Sequence, residues 1–367
     1  MHLDAITGHA RARALLRHAV EEDRRSRADH GSGSRAVSHA YLFTGPAESG
    51  KTATALAFAA DLLEAAGSPP PNGAHADLWV EDSDSEQVSI DMIRLDGRTA
   101  KQGEEMPAGT PVQTLQAFLS LRGMHSDRRV AVLARAERLR EAASAPLLKT
   151  IEEPPAGAVI ILCAEAADLL PATINSRCQE VEFGVLSDEE MRGFLAGRGL
   201  EPTRAVLRLA RGCPGRALRL ADDPAEVERR IGWAGALEAI ATGSWIDIVS
   251  LGARFAASDA RSNRAQAREA LEVWEAWLRD FAISRAGAPE LTGASDPSEP
   301  QDDGRHPAVS GAAWAEAASP AWSAVGLEQV LTIWESAREA ADRVYNNVNP
   351  RLAVEVFLAD VQGAVVP

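Results

Sequence analysis

Apolar and polar positions fall into two regimes along this chain. Up to about residue 182, short and wholly apolar runs stand between amphipathic stretches. Ala40-Tyr41-Leu42-Phe43, closed by Gly45-Pro46, has the length and composition of a buried strand. Val130–Leu133 and Val159–Cys163 read the same way, and the acidic stretch Leu78–Val88 holds a further candidate strand. Residues 5–22 place Ile6, Ala10, Ala14, Leu15, Ala19 and Val20 at helical spacing. Thr52–Ala66, Leu115–Leu121 and Arg138–Ile151 also read as helices, the last stopped by Pro154-Pro155. Buried strands alternating with helices predict a parallel sheet covered on both faces. From about residue 187 the pattern is helical only: two or three short helices over 187–221, helix over 225–282 and a closing helical stretch over 326–362. Three polar segments interrupt the pattern, at 25–36, 96–113 and 286–308. The last is rich in Pro, Gly, Ser and Asp and reads as a mobile linker. The expected organisation is an α/β domain over 1–182, a small helical domain over 183–224 and a helical domain over 225–367.

Composition narrows the function. With 367 residues the chain is too long for one ordinary core, and 46% hydrophobic with 25% charged residues is normal for a globular protein. No apolar run reaches the roughly 18–20 residues that span a bilayer. The opening Met-His-Leu-Asp-Ala-Ile has neither the basic nor the apolar region of a signal peptide, so a cytoplasmic location is expected. Three dispersed cysteines, Cys163, Cys178 and Cys213, fit a reducing compartment and offer no Cys-x-x-Cys metal site. A net charge of −15 argues against a protein that grips DNA by itself. Only Lys51, Lys101 and Lys149 are lysines; the other 35 of the 38 basic residues are arginines.

One of those lysines ends the strongest local motif. Gly45-Pro46-Ala47-Glu48-Ser49-Gly50-Lys51-Thr52 matches the phosphate-binding loop G-x-x-x-x-G-K-[ST], after a predicted buried strand and before a predicted helix. In such a loop the glycines let the backbone curl, so that its N–H groups and the helix N-terminus face the phosphates of ATP or ADP. Gly45, Ser49 and Gly50 would shape it, Lys51 would meet the β/γ-phosphates, and the Thr52 hydroxyl would ligate magnesium. Hydrolysis also needs an acid after the next core strand. Here Ala134 and Arg135 stand at that place, and Glu137 comes three residues late. The expectation is a loop that binds nucleotide and turns it over poorly, unless Glu137, Glu152 or Glu153 substitutes.

Several further blocks, in order, resemble bacterial clamp-loader subunits of the AAA+ class. They are Ile6-Thr7-Gly8-His9, Ser38 to Pro46, His75-Ala76-Asp77-Leu78 with Ser89 to Arg94, Leu147 to Pro155, Leu169 to Cys178 with its Ser-Arg-Cys signature, Gly212 to Leu218, and Asn347 to Leu352. The resemblance implies an AAA+ P-loop domain, a helical lid over 183–224 and a helical collar over 225–367 that assembles a ring with delta and gamma/tau subunits. Through that ring the chain would meet the sliding clamp and primed DNA. It also implies roles for two arginines. Arg177 matches the arginine that reaches in trans into a neighbouring subunit's ATP site, where a guanidinium stabilises charge on the transferred phosphoryl group. Arg216 matches a lid arginine that contacts nucleotide in cis.

The departures from the family pattern matter as much. Family members commonly carry four zinc-binding cysteines before the His-x-Asp-Leu segment; none stands between Ala65 and Ala74, so no zinc is expected. The position of a polar γ-phosphate sensor is taken by Cys163-Ala164. A missing acid and a missing sensor point away from a hydrolysing gamma/tau-like motor and towards a subunit that supplies an arginine without needing to hydrolyse. An AAA+ adaptor outside replication is the remaining alternative. Seven of eight tryptophans lie beyond residue 230, at helical spacing among Ala and Leu, which reads as core or interface packing.

Overall fold

The three wholly apolar runs become the three central strands of one sheet, where both faces are covered and no polar side chain is needed. In the computed structural model the described residues are 2–30, 37–69, 75–83, 88–94, 113–201, 203–257, 259–287, 322 and 324–365. Strands β1 (Ala40–Thr44), β2 (Leu78–Glu81), β3 (Arg129–Leu133), β4 (Ala158–Ala164) and β5 (Gln179–Glu182) form a parallel sheet in the order β2-β3-β4-β1-β5. Leu42 lies opposite Leu162 and Val132 opposite Ile161, while Tyr41 lies opposite Gln179 on the edge strand. The alternation of a strand then sorts side chains into two layers. Tyr41, Phe43, Val130, Val132, Val159 and Ile161 pack to one side, with Leu16, Phe58 and Leu62 from the helices α1 (Ala10–His30) and α2 (Lys51–Ala65). Leu42, Ala131, Leu133, Ile160 and Leu162 pack to the other. There they meet α3 (Ile90–Ile93), α4 (Leu115–Ser120) and α5 (Glu141–Glu152) through Ile93, Phe118, Leu147 and Ile151.

Three features depart from the sequence expectation. Residues 25–30, expected in a loop, continue α1 to His30, while the helix begins at Ala10 instead of residue 5. The apolar pattern fades there because the inward position is Asp23, fully buried and paired with Arg128 at 2.6 Å and Arg27 at 2.9 Å. The edge strand β5 was not expected, since Val181 is its one buried residue. The candidate strand over 78–88 is pared to Leu78–Glu81. Residues 31–36, 95–112 and 288–321, which hold most of the three predicted insertions and Trp314, lie outside the described residues.

Contacts divide the chain into two compact units. One comprises Met1–Phe194 with Gly212–Arg216, and the other Leu195–Arg211 with Ala217–Pro367. Between β4 and β5 lies α6 (Ala172–Asn175), and after the sheet come α7 (Asp188–Ala196), α8 (Arg204–Ala210) and α9 (Pro214–Asp222). The second unit is built on α10 (Pro224–Thr242), α11 (Trp245–Ala253), α12 (Ala260–Arg285), α13 (Leu327–Tyr345) and α14 (Pro350–Val365). Its core centres on Trp233, Trp274, Trp277, Trp322, Phe281 and Phe357, all 2% exposed or less. The buried indole of Trp274 donates to the Trp233 carbonyl at 2.7 Å, so its polar edge is satisfied. Trp245 is not part of this core: it is 60% exposed on α11. The closing stretch is two helices, because Asn347 takes a left-handed φ of 65° after α13 and Pro350 starts α14.

Candidate nucleotide site and the Ser-Arg-Cys arginine

The loop between β1 and α2 has the backbone its glycines predict. Gly45 and Gly50 have φ of 144° and 101°, in the region that favours glycine. A side chain at Gly45 would also put its Cβ 2.1 Å from the Phe183 carbonyl oxygen. The Gly45 N–H donates to the Glu165 carbonyl at 3.1 Å, which ties the loop to the end of β4. His9 supports it from below: its Nε2–H donates to the Ser49 carbonyl at 2.7 Å, and its ring meets Phe183 edge-on at 5.1 Å. Burial holds this imidazole below its ordinary pKa, so it is a neutral prop. The Ile6-Thr7-Gly8-His9 block thus has a physical task beneath the loop.

Lys51 opens α2 and is only 7% exposed. Its ammonium donates to the carbonyls of Gly45 at 2.6 Å and Pro46 at 2.7 Å. Burial lowers its pKa, opposed in part by the nearby Glu165 and Glu137. A cavity of about 410 Å³ opens beside it, lined by Lys51, Thr52, Glu48, Glu137, Glu165 and Gly215 among others. Of the predicted loop residues, Gly50, Lys51 and Thr52 line this cavity. Ser49 lies wholly buried beneath, its hydroxyl without a hydrogen-bond partner among the described residues.

The acids differ from the sequence expectation. Glu137 stands in a tight turn, Ala136–Arg138, directly after β3, and reaches the cavity despite arriving three residues late. Its Oε2 is buried without a hydrogen-bond partner among the described residues, and burial followed by the charge of Glu165 pushes its pKa up. Glu165 was missed. Strand β4 runs through Ala164, so the residue after the strand is this glutamate, and Cys163-Ala164 are still within the strand. Reading the strand to its true end would have found it. Of the other two acids, Glu152 pairs with Arg177, and neither it nor Glu153 is in the cavity lining.

Arg216, 12% exposed, is absent from the cavity lining, but its Nε donates at 3.2 Å to Oε2 of Glu48, which is in that lining. Arg177 is exposed and absent from the cavity lining. It donates to the Thr173 carbonyl at 2.9 Å and pairs with Glu152 at 2.7 Å, both partners about 40% exposed. Such an exposed pair is worth about 0–1 kcal/mol, so it holds the guanidinium only lightly. Neighbouring Cys178 packs against the sheet core, and Ile174 is fully buried, which anchors the segment that carries Arg177. Among the described residues, the groups that bring three metal-ligating side chains within 4.8 Å reduce to His2, Asp61 and Glu64, without a cysteine.

About half of the chain is similar to known proteins. Residues 30–187 match the family model described as DNA polymerase III, delta subunit. The delta-prime subunit of DNA polymerase III from Bacillus subtilis is 27% identical over 208 residues, covering 54% of this chain and 54% of that one. The delta-prime subunit of Pseudomonas aeruginosa is 31% identical over 200 residues, 50% of this chain and 55% of that one. The gamma/tau subunit of Mycobacterium tuberculosis is 29% identical over 160 residues, 44% of this chain and 27% of that one. Among solved structures, a gamma subunit-related protein from Thermotoga maritima is 17% identical over 96% of this chain and 99% of that one, with a TM-score of 0.42, a loose likeness. Over residues 30–187 the chain is thus similar to the DNA polymerase III delta family, a match to fewer than half of its residues. Its delta-prime relatives resemble it over about half of its length. The match spans about half the length of these delta-prime relatives.

Proposed function

We propose that the chain is a delta-prime-like subunit of a DNA polymerase III clamp loader. It acts in the cytoplasm, joins delta and gamma/tau subunits through a helical collar over 225–367, and helps place the sliding clamp on primed DNA. Residues 183–224 serve as its lid. The observation that carries the reading is the position of Arg177. It is exposed, lightly held and outside its own chain's cavity, as an arginine must be if it is to complete a neighbour's ATP site. The chain's own loop binds ATP or ADP. Lys51 and Thr52 would hold the phosphates and a magnesium ion, and the ion would neutralise phosphate charge there.

The test is reconstitution with candidate delta and gamma/tau partners. Arg177→Ala should assemble normally, lower clamp loading more than total ATPase, and not be rescued by Arg177→Lys, which lacks the planar fork. Trans arginines reach roughly 10³–10⁵ in rate in the best cases. Bulk turnover here should fall far less, because other sites keep their own arginines. Unchanged loading and unchanged ATPase would make the Ser-Arg-Cys block structural.

A second reading is favoured by Glu137 and Glu165 beside Lys51: a turnover-competent, gamma/tau-like site. A buried carboxylate with a raised pKa is suited to accept a proton from water. ATP turnover by the isolated chain, abolished by both Lys51→Ala and Glu137→Gln, would select it. Nucleotide binding without turnover, weakened by Lys51→Ala, supports the first.

A further inference from the structure

Glu48 is an unusual occupant of a phosphate-binding loop. It sits at a variable position of the motif, where its carboxylate lines the same cavity as Lys51 and Thr52. Its backbone takes a left-handed φ of 60°, which a glutamate rarely adopts without compensation elsewhere. Two contacts supply that compensation, both from the segment Gly212–Arg216. The Gly215 N–H donates to the Glu48 carbonyl at 2.9 Å. The approach is close enough that a Cβ on Gly215 would lie 3.0 Å from that carbonyl oxygen and 3.1 Å from the Glu48 Cβ. The second contact is the Arg216 Nε on the Glu48 carboxylate at 3.2 Å, with Arg216 only 12% exposed.

We propose that Glu48 and Arg216 form a latch across the phosphate end of this site, which nucleotide opens by taking Arg216 from Glu48. The inference rests on the proposed nucleotide-binding role of the Lys51 loop. The chemistry is a competition between two anions for one guanidinium. In the latched form Arg216 is neutralised by a carboxylate. An arriving β- or γ-phosphate meets both that occupied arginine and the like charge of Glu48. Exchange leaves Arg216 on the phosphate and sends the Glu48 carboxylate towards water, which its 32% exposed side chain can reach. The latch therefore weakens nucleotide binding and couples it to release of the 212–216 segment from the loop. Lys51, bonded to the loop carbonyls of Gly45 and Pro46, undergoes a parallel exchange on the other side of the cavity.

The experiment is titration of the full chain with Mg-ATP and Mg-ADP by calorimetry, for wild type, Glu48→Gln, Glu48→Gly, Arg216→Ala and the double variant Glu48→Gln/Arg216→Ala. Glu48→Gln removes the charge and keeps the shape. Glu48→Gly removes the side chain at a φ that glycine accepts. Both should tighten binding about tenfold, the equivalent of one charge-assisted hydrogen bond. In the Arg216→Ala background the gain from Glu48→Gln should shrink to about threefold or less, because only the repulsion remains to be relieved. Detectable wild-type binding that Glu48→Gln and Glu48→Gly leave within twofold overturns the latch. So does a tenfold gain that persists undiminished without Arg216. If neither wild type nor the Glu48 variants bind nucleotide at millimolar concentration, the nucleotide-binding reading itself fails and the latch falls with it.

Discussion

The three cysteines sit where a thiolate is costly. Cys163 is fully buried in β4, and burial pushes its thiol up to about 12 despite the nearby Lys51 charge. Cys178, packed against the sheet core, is pushed up to about 11 by burial alone. Cys213 is 3% exposed. Metal ligation and alkylation both need the thiolate. The purified chain should therefore carry no stoichiometric zinc and should react slowly with iodoacetamide at pH 8, with all three thiols labelled once it is unfolded. One tightly held zinc per chain would refute this. The same physics acts on Glu275 in α12. Burial, followed by repulsion from Glu272 and Asp342, raises its carboxyl to about 7 against the opposing pull of Arg338. The folded state then holds a proton that the unfolded state loses between about pH 4.5 and 7, so stability falls as pH rises through that window. Glu275→Gln should raise the melting temperature at pH 8, by the equivalent of about 2 kcal/mol, and the gain should vanish near pH 4.5. A variant less stable than wild type at pH 8 would show that Glu275 is needed as an anion by its arginine neighbours.

Elements are held together here by buried polar clamps as well as by apolar faces. Asp23 on α1 accepts from Arg128, which is 4% exposed at the start of β3, and from Arg27. Asp23→Ala would leave Arg128 buried without its carboxylate, at a cost of about 3–5 kcal/mol. Denaturant unfolding checks this; a loss under 1 kcal/mol would mean that Asp127, which already pairs with Arg27 at 2.6 Å, takes over. Asp77, just before β2, plays a similar part for the turn that leads into β3, its two oxygens accepting from the N–H groups of Met124 at 2.6 Å and His125 at 2.9 Å. Such clamps also explain what the sequence did and did not disclose. The central strands were legible because a strand covered on both faces must be wholly apolar, and the phosphate loop because its glycines and lysine are contiguous. The last turns of α1 were hidden because Asp23 stands at an inward position. Strand β5 was hidden because one buried residue, Val181, leaves no alternation to see. In the site, Glu137 was legible only as an acid out of place, and the Glu48–Arg216 contact joins residues 168 apart in sequence, beyond any local pattern.

For the whole molecule, charge decides how DNA can be met. The chain carries 53 acidic against 38 basic residues, a net charge of −15. Several arginines are already spent on neighbours: Arg128 on Asp23, Arg177 on Glu152, and Arg230 on Glu226 and Glu272. Even the arginine-lined cavity of Arg27, Arg122, Arg128 and Arg129 includes Asp127 in its wall. Affinity for DNA that is independent of sequence comes from arginines and lysines that replace the counterions of phosphates, and each phosphate so neutralised adds close to one unit to the salt slope. A surface of net negative charge with few organised cations should therefore give no useful binding. The isolated chain is expected to bind a primed template more weakly than about 10⁻⁴ M at physiological salt, with a slope of log K against log salt near zero. Fluorescence anisotropy with a labelled primer–template between 50 and 200 mM salt measures both quantities. The reconstituted loader should bind the same DNA steeply with salt, through its other subunits. Substitutions such as Arg177→Ala should then alter turnover and loading while leaving that slope unchanged. Submicromolar binding by the isolated chain, with a slope of several units, would reveal an organised basic face and reject the reading of this chain as an assembly member that meets DNA through its partners.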